Sequence, residues 1–537
     1  MRAQRLLLLA LPLLALACRA QQQAAPDSPR PMPPPTTPAP PMPTPPQAQP
    51  APGEPPPVVD PNNRVMVIED GKETWIDATA ATAQGYTVVD LSDDWTPFLF
   101  AEQWSAAGEL LPNRYRRVYL GLANDKLDED GQPLPPGAKN YLELYGIFPT
   151  MSVLRARFVD DSRTCIDDAA KAALEAVDAI SYIPPAALRR NELKVAALRK
   201  ELEAARKKAR ARTLAELAEK APEFAPKVRL YNKRMAEKPA MAAAEKRLAC
   251  EGFLKPGKNH KTGVYDQAMQ EAVKAFQQKH MIYESHFLRR QTMDALEREL
   301  IENDHRSLLR SLRERVVSAA AIIEDGTITG NTAAGPAPPN LADEFTAVAA
   351  KALGLDTPEG ALAFFQKHPA TDFARFRVGV KFPPLPPWYG PEMPLSIEID
   401  RGDVWYDLAF DEKGDRLPQP RKKYPSFTLQ VEWKGKKLPL ARWRTTIGGW
   451  RAEQAPDGYE YYRYKGSDVG PRVIRQVIAG PVWIAPASTP IRSLVKHKVV
   501  MGRSQQVVNY SELGPGYLSA YGLVAGYFVV PGKNGRG

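Results

Sequence analysis

The stretch GVYDQAMQEAVKAFQQKH, residues 263–280, places Met269, Ala272, Val273 and Phe276 at i, i+3, i+4 and i+7. That spacing lines one face of an α-helix with apolar side chains. Asp266 stands where an N-cap belongs, able to accept from the backbone donors that a helix start leaves unpaired. Read alone, this is a packed helix in a small helical domain. Its neighbours extend the pattern. Upstream, AAAEKRLACEGFLKPG (242–257) runs into a turn at Gly252 and Leu254, and downstream MIYESHFLRRQTMDAL (281–296) makes a short link into a further helix.

The whole chain of 537 residues is too long for one hydrophobic core, so about three or four domains are expected. The net charge of +10 suits an acidic partner: nucleic acid, anionic lipid or a carboxylate-bearing polymer. No RNA- or DNA-binding signature accompanies the charge. HExxH, GxSxG, P-loop and GxGxxG patterns are also missing from the sequence, which disfavours the metalloprotease, serine-hydrolase and nucleotide-binding classes. No cofactor is implied.

Residues 1–18 read as a signal peptide: Arg2 and Arg5 precede a twelve-residue apolar run, Leu6 to Ala17, too short to span a bilayer. Ala15 and Ala17 directly before Cys18 resemble a bacterial lipobox, with Ala15 where leucine is usual. The resemblance implies that Cys18 becomes the lipidated N-terminus; the other reading is a plain signal peptide cut near Ala20. Arg19 is not the aspartate associated with inner-membrane retention, so the resemblance favours an exported, periplasmic protein anchored in the outer membrane. Residues 19–61 form a linker, and 18 of the 36 positions from 26 to 61 are proline. Proline lacks the backbone donor and fixes φ. Such a segment is extended polyproline II, reaching on the order of 110 Å from the membrane.

Residues 62–160 read as a mixed α/β region, with VMVIED, YTVVDL and YRRVYLGL as strands. The loop after them gathers Asp125, Asp128 and Asp130, but Lys126 and Gly137 stand where a calcium loop needs acids, so a solvated turn is expected. Residues 161–240 are helical. Val195, Leu198, Leu202, Ala205 and Ala209 fall at heptad spacing, and ten Lys or Arg face three Glu between Arg189 and Arg212. A spacer, a dimerisation element and a face for an anionic polymer all fit that hairpin. In an exported chain Cys165 and Cys250 are expected to pair, closing a loop of 86 residues; two buried free thiols are the alternative.

The order of helix, glycine turn, glycine loop, helix and link across 242–296 resembles the three-helix peptidoglycan-binding domain of bacterial wall enzymes. The matching positions are Leu248, Gly252, Leu254, Gly263, Tyr265, Ala272, Val273, Phe276, Gln277, Ile282, Thr292 and Leu296. The family's Asp-Gly pairs are Thr262-Gly263 and Ser285-His286 here. The resemblance places a peptidoglycan-binding domain at 241–300, followed by a helical linker region at 301–375. It implies peptidoglycan as a partner; the lipid anchor adds a membrane, and no nucleic acid is expected.

From about Phe376 the texture turns β-rich, and 376–537 holds six of the nine tryptophans: Trp388, Trp405, Trp433, Trp443, Trp450 and Trp483. LARWRTTIGGWR, YYRYKGSDVGPR, AGPVWIAPASTP and LGPGYLSAYGLVAGYF together resemble the front half of an L,D-transpeptidase catalytic domain of the YkuD type. Such enzymes cross-link peptidoglycan through a cysteine acyl-enzyme, using a His-Gly pair and a Ser-His-Gly-Cys motif. Neither motif occurs: none of His260, His280, His286, His305, His368 and His497 precedes a glycine. The expected fold is thus an α+β multidomain chain: mixed N-terminal region, helical hairpin, three-helix module and an incomplete β-rich domain whose catalytic segment would come next. The expected role is peptidoglycan binding by a lipoprotein, with a non-catalytic membrane-to-wall tether or periplasmic scaffold as the alternative; no catalytic residue and no metal ligand can be named.

Overall fold

A computed structural model describes residues 63–529, apart from 106, 112, 129–130, 161–162, 184, 256–262, 284, 391–392, 403–423, 446–447, 455–457, 459, 467–469, 486–488, 501–502, 510–512 and 515–518. The signal segment, Cys18 and the proline-rich linker lie outside the described residues, as does Trp405.

β1 (Arg64–Glu69) and β2 (Lys72–Asp77) form an antiparallel hairpin. Its corner is Asp70-Gly71, both at positive φ (50° and 75°), as a two-residue hairpin turn requires. Asp77 then caps α1 (Ala78–Ala83), its Oδ1 accepting from Thr79 N at 2.8 Å. β3 (Thr87–Asp90) follows. YRRVYLGL is not a strand: it lies in α2 (Arg114–Ala123), capped by Asn113. Tyr115, Val118, Tyr119 and Leu122 stand at i, i+3, i+4 and i+7 and pack on Phe100, Tyr145 and Ile147, so the helical period overrides the short alternation. The acidic loop is a turn, with Asp125 accepting from Asn140 N at 2.7 Å and Asp128 from Gln132 N at 2.8 Å.

Beyond α3 (Met151–Asp160) come α4 (Asp168–Glu175), α5 (Leu188–Lys208), α6 (Leu214–Lys220) and the long α7 (Ala225–Cys250). The heptad face of α5 is covered inside the chain: Leu198, Leu202, Ala205 and Ala209 pack with Leu217 and Val228. α8 (Gln267–Lys279), α9 (Arg290–Glu297) and α10 (Leu300–Ala320) follow, then the small hairpin β4 (Asn331–Thr332) and β5 (Gly335–Pro336), and α11 (Leu341–Ala352) and α12 (Pro358–Lys367).

β6 (Arg377–Val380) enters the N-terminal sheet, in the order β2-β1-β6-β3. Val378 pairs with Met66 in parallel and with Val89 antiparallel. Met66, Val89 and Val378 share one core with Leu154 and Phe158 of α3, Leu308, Leu312 and Val316 of α10, Phe345 of α11 and Phe365 of α12. The first folded region and the helical stretch 301–375 are therefore one platform, and β6 belongs to it rather than to the C-terminal region.

The C-terminal region is β-rich. β7 (Leu395–Asp400), β8 (Ser426–Trp433) and β9 (Lys436–Arg444) form an antiparallel sheet, and β10 (Gly448–Gln454) pairs with β11 (Glu460–Gly466). β12 (Val473–Ala479) pairs with β15 (Val524–Val529), and β13 (Val495–Val500) with β14 (Arg503–Val508). Two carboxylates after α10 tie the three-stranded sheet down. Trp388 Nε1 donates to buried Glu324 at 2.6 Å and Trp443 Nε1 to Asp325 at 2.9 Å. These tryptophans are structural, packing with Trp433 against Leu429 and Leu438.

Candidate functional site

The module is built from four helices. Leu174 of α4, Ala240, Ala244 and Leu248 of α7, Met269, Val273 and Phe276 of α8 and Leu296 of α9 form one buried cluster, joined by Val177 and Ile180 from the segment after α4. The chain therefore begins this unit near Cys165, leaves it through the α5–α6 hairpin, and returns along α7. Cys165 and Cys250 are bridged by a disulfide, Cα to Cα 5.7 Å, which ties the two passes together.

The positions that carried the sequence pattern form the inside of the unit. Leu248, Leu254, Tyr265, Ala272, Val273, Phe276, Gln277, Thr292 and Leu296 are all buried, and Ile282 packs against them. Gly252 (φ 82°) is the left-handed residue that closes α7, with Gly252 N donating to Ala249 O and Phe253 N to Leu248 O. Asp266 caps α8 as read, accepting from Met269 N at 2.9 Å, and Gly263 (φ 78°) donates its amide to Glu245 Oε2 at 2.8 Å.

The loop without its glycine is held by side chains. His286 takes the left-handed conformation itself (φ 52°). Fully buried Gln277 accepts from His286 N at 3.0 Å and donates to Phe287 O at 3.1 Å and to Thr292 Oγ1 at 3.0 Å. The Tyr265 hydroxyl donates to His286 O. One amide and one phenol thus fix three backbone groups of residues 286–287.

A buried charge cluster joins the module to α10. Glu251 Oε1 meets Arg247 Nε at 2.7 Å and Oε2 meets Lys279 Nζ at 3.0 Å, and Lys279 lies 3.6 Å from Asp304. All four side chains are 5% exposed or less. Two cations and two carboxylates balance only while the neighbouring imidazole of His280 is neutral. Burial on the Glu251 carboxyl acts upward, but the Lys279 and Arg247 cations outweigh it and hold the group well below the usual carboxylate range. Alongside, Glu143 accepts from Ser307 Oγ and Arg310 Nε, both at 2.6 Å, docking the segment before α3 onto the same helix.

His280 gives this seam a pH dependence. Its Nε2 is 3.9 Å from Glu251, beyond a hydrogen bond, so burial dominates and lowers it from 6.5 to about 4, with Lys279 and Arg310 acting the same way. The unfolded chain binds this proton near pH 6.5 and the folded one only near pH 4. Stability is then full above pH 6.5 and falls as pH drops through that window, by about 2 kcal/mol at pH 5. Urea unfolding at pH 7 and pH 5 measures it, and His280→Gln is expected to flatten the slope.

A comparison with known families adds the deciding observation. Residues 237–282 match the putative peptidoglycan binding domain. The chain carries a peptidoglycan-binding domain. No curated protein and no solved structure matches the chain. The matched segment spans the end of α7, both glycine turns and α8, while α4 and α9 complete the core of the peptidoglycan-binding domain from outside it. Among the described residues no helix is long and apolar enough to cross a membrane, and no cluster of His, Cys, Asp and Glu is placed to hold a metal. Sequence reasoning missed Arg247, Glu251, Lys279 and Asp304. Only the i, i+4 spacing of Arg247 and Glu251 hinted at them, because the other partners come from separate helices.

Proposed function

We propose that this chain is an exported, lipid-anchored protein that holds peptidoglycan through the unit running from Cys165 to Val177 and Ile180 and from Glu237 to Glu297. The observation that carries the reading is the family match falling on a disulfide-closed helical unit. Lipidation of Cys18 and the proline-rich 19–61 would set that unit far from the membrane, so the whole acts as a membrane-to-wall tether. The division of labour follows the chain: a leader at 1–18, a tether at 19–61, a platform from 62–160 with 301–380, the wall-binding unit between, and a β-rich region beyond.

The β-rich region favours a second reading. Its four motif stretches resemble an L,D-transpeptidase scaffold, which would place the chain among peptidoglycan cross-linking proteins. Within this sequence the family's nucleophile motif does not occur, and Cys165 and Cys250 are joined to each other. A thiolate nucleophile is therefore not available from the folded part, and binding is the reading we favour.

The test is co-sedimentation of the purified full chain with peptidoglycan sacculi. Most of the protein is expected in the pellet, released by added soluble muropeptides. A chain that stays in the supernatant at low salt overturns the proposal.

A further inference from the structure

We propose that the ligand-contacting surface of the wall-binding unit is a strip formed by Tyr182, Phe287 and Arg289, which stacks a glycan strand on its two rings and takes a stem-peptide carboxylate in the arginine fork. The proposal rests on the peptidoglycan reading above. None of the three residues lies inside the matched segment 237–282.

The three are linked by one chain of contacts. Ile180 N donates to Leu288 O at 3.0 Å, laying the segment after α4 along the loop before α9. The Tyr182 ring meets Tyr265 edge-on at 5.5 Å, and Tyr265 in turn is bonded to His286 O. His286 and Phe287 rings are 4.5 Å apart, and the Arg289 guanidinium carbon lies 5.2 Å from the centre of Phe287. Ser181 fixes the other end, its hydroxyl donating to Glu237 at 2.7 Å.

Exposure separates these residues from the core. Tyr182 is 41% exposed and Phe287 37%, although every ring they lean on is more buried. Large rings left outward on a loop that is otherwise pinned are the usual make-up of a recognition surface. Two consecutive arginines show the same division. Arg290 is consumed internally, with Asp294 at 2.5 Å and Glu297 at 2.7 Å. Arg289 makes no ion pair with a described carboxylate and is exposed, its plane set by Phe287.

The chemistry of the occupant follows. An arginine held over a ring presents a planar fork suited to a carboxylate, and aromatic faces suit the apolar faces of sugar rings. Peptidoglycan offers both groups on one polymer. The strip is also preorganised: Gln277 holds the backbone of His286 and Phe287, so little freedom is lost when a ligand arrives.

The experiment compares sacculus binding by the full chain and by Tyr182→Ala, Arg289→Ala and Arg289→Lys, with native sacculi and with sacculi whose carboxylates have been amidated. Both alanine variants are expected to bind about tenfold more weakly, as loss of an anchoring ring or arginine does. Arg289→Lys should fall between wild type and Arg289→Ala. Amidation should weaken the wild type and leave Arg289→Ala unchanged. Melting curves matching wild type would confirm that these exposed substitutions leave the fold intact. Variants that bind as tightly as a binding wild type overturn the strip and leave the peptidoglycan reading standing. A wild type that does not bind overturns both.

Discussion

Glu251→Gln is expected to lower the stability of the wall-binding unit by about 3–5 kcal/mol. Glu251 is the only carboxylate shared by Arg247 and Lys279 among the described ion pairs, at 2.7 and 3.0 Å, and its side chain is 1% exposed. Neutralising it leaves Arg247 and Lys279 inside the protein with Asp304 as the remaining counter-charge at 3.6 Å. The cost is the uncompensated charge more than the lost attraction. Lys279→Met in the same chain should therefore recover part of the loss, because it brings the cluster back to one cation and one carboxylate. Glu271→Gln on the exposed side of α8 serves as the reference and should stay within about 0.5 kcal/mol. A denaturant midpoint for Glu251→Gln no different from that reference would show that the cluster does not hold the seam.

Removing the disulfide is the second large effect. Cys165 and Cys250 are separated by 85 positions, and releasing a loop of that length costs about 4.5 kcal/mol in the chain-entropy account. The paired Cys165→Ala and Cys250→Ala variant, or wild type in reductant, should unfold at markedly lower denaturant. The bridge and the charge cluster meet at adjacent residues, so the two losses should not add. An unchanged midpoint in reductant would mean that the α4–α7 packing alone closes the unit.

The sequence made α8 legible because everything that specifies it is local: an apolar face at helical spacing, an aspartate cap and a glycine loop just ahead of it. Gly252 was legible for the same reason. The ends of the pattern were not. Lys279 and His280 look like the solvated end of a helix, and only the arrival of Asp304 and Glu251 from other helices makes them interior groups. Gln277 was legible as a family position, but its work on the His286 loop depends on a backbone conformation no spacing reveals. YRRVYLGL satisfied two periods over eight residues, and the buried partners Phe100 and Ile147 decided between them. β6 was misplaced because a four-residue strand carries no mark of its partners, which lie hundreds of positions upstream. The strip of Tyr182, Phe287 and Arg289 draws on two segments that meet only once Ile180 and Leu288 are paired.

The central place of β6 also sets an order in time. β1 and β3 each leave a pairing edge open until Arg377–Val380 has been made and delivered, whereas every piece of the wall-binding unit lies between Cys165 and Glu297. Contacts near in sequence form sooner than those that close long loops. The middle of the chain therefore completes its fold first, and the earliest strands to emerge are among the last to be satisfied. Open strand edges are a hazard for as long as they wait. A chain waiting in that state would need the interval covered, and half of the 36 positions from 26 to 61, ahead of β1, are proline, a residue that lacks the amide donor a partner strand needs.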